Sequence, residues 1–224
     1  MEIGQCGLAL PALLEESGLG HPEPPAWLGP GCILMLLGSA AMALPPTLHD
    51  FEITLSHVER SLDAKLAVRT ARHPSETMER VWLRVLAFCL FHEERLAFGP
   101  GLGEPEAPDL EARDLTGRLT RWIRVGKADP AKVQRAADQN ADAKVAVLLE
   151  SPAKLQAFLA EARAAGLSRL GEVELLAADP ALLATLGAID ARRARLSLTL
   201  VGDHAYFEVG GAACDGPLTR DSLA

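Results

Sequence analysis

A few charged residues at suggestive spacing set the chemical question. Glu76 lies in ARHPSETMER, Asp109 follows Pro108 in APDL, and Arg124 and Lys127 close the run RWIRVGK. Hydrolysing a phosphodiester with Mg2+ or Mn2+ takes one or two carboxylates on the ion, several waters, and a cation that orients the nucleophile or steadies the phosphate. Glu76 and Asp109 are the candidate ligands, completed by a group at the end of the strand after Asp109. Arg121, Arg124, Lys127, Lys132 and Arg135 form a basic cluster on that strand and the next helix. Such a cluster suits phosphate contact.

Each feature has a plainer reading. A Pro-Asp dipeptide is common, and a loop aspartate often only makes a turn or a cap. The basic cluster could be a solvated face paired with nearby Glu and Asp. The metal-nuclease pattern PD-(D/E)xK wants a second acid at the strand end and a Lys two residues on; here the positions hold Arg124 and Gly126. Ser75 beside His73 has no nucleophile elbow around it, and helix capping explains both. GPGLGEPEA, residues 99–107, lacks the spacing of a phosphate-binding glycine loop.

The elements that must hold these residues follow from periodicity. Leu48–Val58 alternates and reads as a half-buried strand; after a polar turn at Glu59–Asp63, Ala64–Arg69 returns as its hairpin partner. His73-Pro74 stops the strand and starts a helix with Pro in its first turn. That helix carries Val81, Trp82, Val85, Leu86, Phe88, Cys89 and Leu90 on a wide apolar surface, with Glu76, Arg80 and Arg84 along one line. Leu115–Val125 reads as a core strand. Asp129-Pro130 and Pro152 open two further helices, and KVAVLL at Lys144–Leu149 is a strand buried on both faces. Val173–Leu176 is a short strand and Pro180–Leu186 a short helix. Arg195–Val201 and Ala205–Val209 form a closing hairpin, and the tail, 211–224, reads as frayed. The fold class is α/β (α+β): a mixed central β-sheet flanked by helices, with N- and C-terminal β-hairpins.

The totals bound the rest. At 224 residues, 49% apolar and 23% charged, the chain is ordinary globular material. A net charge of −8 argues against whole-surface attraction to nucleic acid but leaves room for a local basic groove. Cys6, Cys32, Cys89 and Cys214 are scattered without metal-type spacing, which predicts a reducing, cytoplasmic setting. Residues 1–41 contain no Lys or Arg and a Pro/Gly-rich centre, and CILMLLGSAAMAL is too short to span a bilayer. We read them as an over-long start ahead of an initiator at Met42. A signal peptide and a genuine appended segment are the alternatives. No membrane association is expected.

From Met42 to about Gly210 the chain resembles the YaeQ family of bacterial proteins. The resemblance is carried by ARHPSETMER, ERLAFGPGL, APDL, DLTG and WIRVG, in matching order and spacing. It implies a single domain over 42–210 with a restriction-endonuclease-like core and a rearranged PD-(D/E)xK site. Glu76 and Asp109 match the family's acids, and Arg135 falls where the family carries Lys or Arg. Asp114 is a weaker further ligand. At Arg124 the family usually has Asp or Glu. An arginine there repels Mg2+ and could instead neutralise Glu76 or Asp109. The resemblance therefore implies a catalytically impaired protein that binds nucleic acid or another protein; the alternative is an Mg2+-dependent nuclease with Arg135 or Lys127 positioning phosphate or water.

Overall fold

The structure is a computed structural model that describes residues 45–100 and 106–223. The expected extension, 1–41, lies outside the described residues, as does part of the loop over 99–107.

One mixed sheet organises the described chain. Its ten strands are β1 Thr47–His57, β2 Leu62–Arg72, β3 Ala97–Phe98, β4 Leu110–Arg113, β5 Leu119–Val125, β6 Lys144–Leu149, β7 Glu174–Ala178, β8 Arg193–Val201, β9 His204–Val209 and β10 Ala212–Asp221. They lie in the order β2-β1-β8-β9-β10-β7-β6-β5-β4-β3. The sheet is nearly closed, like a barrel. Its helices are α1 Met78–Leu90, α2 Pro130–Gln139, α3 Pro152–Ala164 and α4 Pro180–Gly187.

Helix α1 is the centre of the larger core. Val81, Trp82, Leu83, Val85, Leu86, Ala87 and Cys89 are all fully buried. They pack with Phe51, Ile53, Ile123, Leu198, Phe207 and Leu218 from strands along most of the sheet. A helix apolar on nearly every side needs such an enclosure. Burial pushes the Cys89 thiol up to about 12, so it is an inert core residue. On the opposite face, α2 and α3 cover Trp122, Val145, Val147, Leu149 and Leu175 in a second core. Strands β5, β6 and β7 are parallel there, and the continuous apolar run of β6 is buried on both faces, as a covered parallel strand requires.

Three expectations change. Residues 212–221 are not a frayed tail: β10 pairs antiparallel with both β9 and β7 and joins the two halves of the sheet. Its sequence, AACDGPLTRD, lacks strand alternation, so tertiary pairing overrides local preference. The span expected as one strand over Leu115–Val125 starts only at Leu119, because Asp114–Gly117 is a turn that leaves Leu115 84% exposed. Helix α1 begins after Thr77, whose hydroxyl accepts from the Arg80 N–H, rather than at Pro74. Pro74 instead sits inside a turn closed by Glu76 N–H to His73 C=O.

Candidate functional site

The turn before α1 and the corner before β4 deliver two buried acids to one cleft of about 610 Å3. Glu76 is therefore ahead of the helix, not on its first turn. Its carboxylate Oε2 accepts from the His73 N–H at 3.2 Å and from Arg84 Nη2 at 2.9 Å. Asp109 is fixed by its own backbone, with its N–H on the Ile123 carbonyl and its carbonyl on the Gly99 N–H, both at 2.9 Å. A Cβ on Gly99 would run into the Pro108 carbonyl, so glycine permits this approach. The Asp109 carboxylate Oδ2 accepts from the Val125 N–H at 2.9 Å.

Arginine side chains join the acids. Arg80 Nη2 donates to Asp109 Oδ1 at 2.7 Å, and Nη1 donates to the Val125 carbonyl at 2.7 Å. Arg80 Nε faces Glu76 Oε1 at 3.2 Å, an ion pair without hydrogen-bond alignment. Arg124 Nη1 lies 3.6 Å from Asp109 Oδ2, with its guanidinium over the Trp122 ring. Arg84 sits deepest; burial pulls its guanidinium below the usual arginine value, while Glu76 and Asp109 oppose that shift. The spacing of Glu76, Arg80 and Arg84 seen in the sequence is thus a working row of ion pairs.

Each of the four carboxylate oxygens of Glu76 and Asp109 already faces a guanidinium, and one on each acid also takes a backbone N–H. Among the described residues no three His, Cys, Asp or Glu side chains gather as a metal-binding group. A divalent ion would have to displace arginines from both acids. These residues do not fit Mg2+ or Mn2+.

The other sequence candidates separate. Lys127 and Lys132 line the same cleft as Arg124. Lys132 donates to Glu106 at 2.5 Å, and that bond, with Arg135 and Arg124 adding, holds the Glu106 carboxyl below its usual range. Arg135 is further along α2, exposed, 3.8 Å from Glu106. Asp114 is in its turn, accepting from the Thr116 hydroxyl and the N–H groups of Thr116 and Arg118. Arg121 leaves the basic cluster: it is buried against Phe91 and pairs with Glu93 and Glu174.

Two residues escaped the sequence reading. Glu150, just past β6, lines the cleft as a further acid beside Glu76, Asp109 and Asp129. An acid at the carboxyl end of a buried parallel strand is a signal for it, because ligand clefts open there. Gly126 has φ +75, and a Cβ there would meet the Arg80 guanidinium. Its left-handed backbone turns the chain out of β5 and leaves room for Arg80.

A model of the YaeQ protein family matches residues 42–216. The chain belongs to the YaeQ family. The match covers the stretch expected from the motifs and continues into β10. The protein described as the uncharacterized protein YaeQ of Escherichia coli K12 is 36% identical over 103 residues, and that of Salmonella typhi 34% over 101. The chain spans about half the length of these curated relatives, 56% in each case. The crystal structure of YaeQ from Xanthomonas axonopodis pv. citri superposes with a TM-score of 0.72 at 26% identity, covering 80% of this chain and 99% of that one. YaeQ from Pseudomonas syringae gives 0.70 at 24% identity, covering 78% of this chain and 95% of that one. No helix among the described residues is long and apolar enough to cross a membrane.

Proposed function

We propose that this YaeQ-family protein has a restriction-endonuclease-like core of variant PD-(D/E)xK type and uses it to bind rather than to cut. Its ligand is the phosphate backbone of a nucleic acid, held without a metal. The observation that carries this reading is Arg124 in the cleft, 3.6 Å from Asp109. A guanidinium at that place supplies fixed positive charge where a hydrolase would need a cation bridged by acids. Lys127 and Lys132 extend the charge along the rim, and no aromatic side chain is among the described lining residues. Recognition then rests on phosphate rather than on base stacking, which favours a duplex over a single strand. The overall charge of −8 makes the attraction local.

A second reading, Mg2+-dependent phosphodiester hydrolysis, is supported by one observation: Glu76 and Asp109 face the same cleft. In that reading Lys127 steadies the scissile phosphate. Arg135 is less suited, being exposed and not among the residues that line the cleft.

Fluorescence anisotropy with labelled duplex and single-stranded oligonucleotides, in EDTA and then in Mg2+, separates the two. Binding reads the same in both buffers, falls several-fold in Arg124→Ala and Lys127→Ala, and weakens with salt by about −0.9 in log slope per phosphate contact. No binding in EDTA would sink the proposal and favour a protein partner. Cleavage in Mg2+ that Asp109→Asn abolishes would favour the hydrolase.

A further inference from the structure

The two edges of the sheet are unlike. One ends in β3, only two residues long. The other ends in β2, eleven residues long and paired, among the described residues, only with β1. Proteins usually keep edge strands short or blunt, because an open ladder of N–H and C=O groups templates another strand. At about 3.4 Å per residue, β2 is roughly 37 Å of edge. Its upper end is blunted, since Arg84 donates to the Ala71 carbonyl at 2.8 Å. That leaves the stretch from Leu62 to Thr70, whose middle residue is Leu66.

We infer that β2 is the contact between two copies of this chain, paired antiparallel about a two-fold axis at Leu66. Charge chooses the partner and the register. Asp63, Lys65, Ala67 and Arg69 point outward and are exposed. Centring the axis on Leu66 sets Asp63 of each copy opposite Arg69 of the other, and Lys65 opposite Ala67. Moving the axis by one residue either way, while keeping both inner faces on one side, sets Lys65 against itself or against Arg69. Like charges directly opposite are unfavourable, so the sequence specifies one register over the full open stretch. Arg69 already pairs with Asp50 at 2.5 Å, but its side chain is 68% exposed and keeps donors for a second carboxylate.

Packing supports the same partner. The inner face of β2 carries Leu62 and Leu66, both only half-buried against the core. Phe88 and Phe98, also half-buried, stack at 5.3 Å beyond Arg84, which lies over the Phe98 ring. Self-pairing brings Leu66 against its own counterpart and continues the sheet from one copy into the next. A closed, isologous dimer results.

Sedimentation velocity on the full chain tests this. The wild type sediments as a dimer that dissociates on dilution. Asp63→Arg and Arg69→Glu each shift it to monomer, weakening association at least tenfold. Mixing the two variants restores a dimer, because each supplies the charge the other lacks, and native mass spectrometry finds it mixed. Circular dichroism keeps the folded spectrum for both. A monomeric wild type, a dimer indifferent to both reversals, or a mixture that stays monomeric would overturn the inference.

Discussion

Arg80 and Asp109 tie the start of α1 to the corner before β4, through a 2.7 Å bond from Arg80 Nη2 to Asp109 Oδ1. Both side chains are largely buried, 18% and 7% exposed. A carboxylate placed this way is first a counter-ion. Breaking such a pair by removing one partner leaves the other charge without compensation, at a cost of about 3–5 kcal/mol.

Asp109→Ala should therefore destabilise the protein by roughly that amount, about 3 kcal/mol or more, in urea denaturation. Asp114→Ala, which removes only an exposed turn cap, should cost much less. Equal small losses at both positions would show that the Asp109 network is not structural.

Gly126→Ala should lose about 1–3 kcal/mol, since alanine is strained at positive φ and its methyl meets the Arg80 guanidinium. Thermal unfolding measures this. Adding Arg80→Ala to Gly126→Ala removes the collision, so the double variant should fall short of the sum of the single losses. Strict additivity would remove the steric part of the explanation.

Stability should also fall with acid in two separate steps. Burial depresses the folded pKa of His57 and His92. Above about pH 6.5 both residues are neutral in both states and contribute no pH dependence. As pH falls through that value the unfolded chain takes up protons first, so the folded state loses ground. The carboxylates with depressed values act in the same sense, but at lower pH. Asp50, through Arg69, and Glu106, through Lys132, contribute stability above the ordinary carboxylate range and lose it only as pH falls below about 4. Calorimetric melting should show an early decline below about pH 6.5 that His57→Gln with His92→Gln flattens, leaving the acid step in place. An unchanged early decline in the double variant would assign it to other groups.

Much of this was legible from the chain, for identifiable reasons. The β1–β2 hairpin, β6 and α3 announce themselves through alternation, the apolar run of KVAVLL, and Pro152 at a helix start. The acids and Arg124 stand out because short motifs surround them. What stayed hidden depends on contacts between distant residues. Arg80 looked like one member of a helical row; that it also holds Asp109, 29 residues away, is tertiary information. β10 carries Gly216 and Pro217, poor strand formers, and is a strand because β9 and β7 need a partner between them. Leu115 looked like core and is a turn residue, because Asp114 captures the local N–H groups first.

Glu76 and Asp109 face arginines on all four carboxylate oxygens, where a metal would have to displace them. Calorimetric titration of Mn2+ into the protein, wild type beside Arg124→Glu, tests this most directly. The wild type should show no saturable micromolar binding, and Arg124→Glu a gain of measurable affinity, because an acid there joins Asp109 on the cleft. Micromolar binding by the wild type that Glu76→Gln abolishes would contradict it.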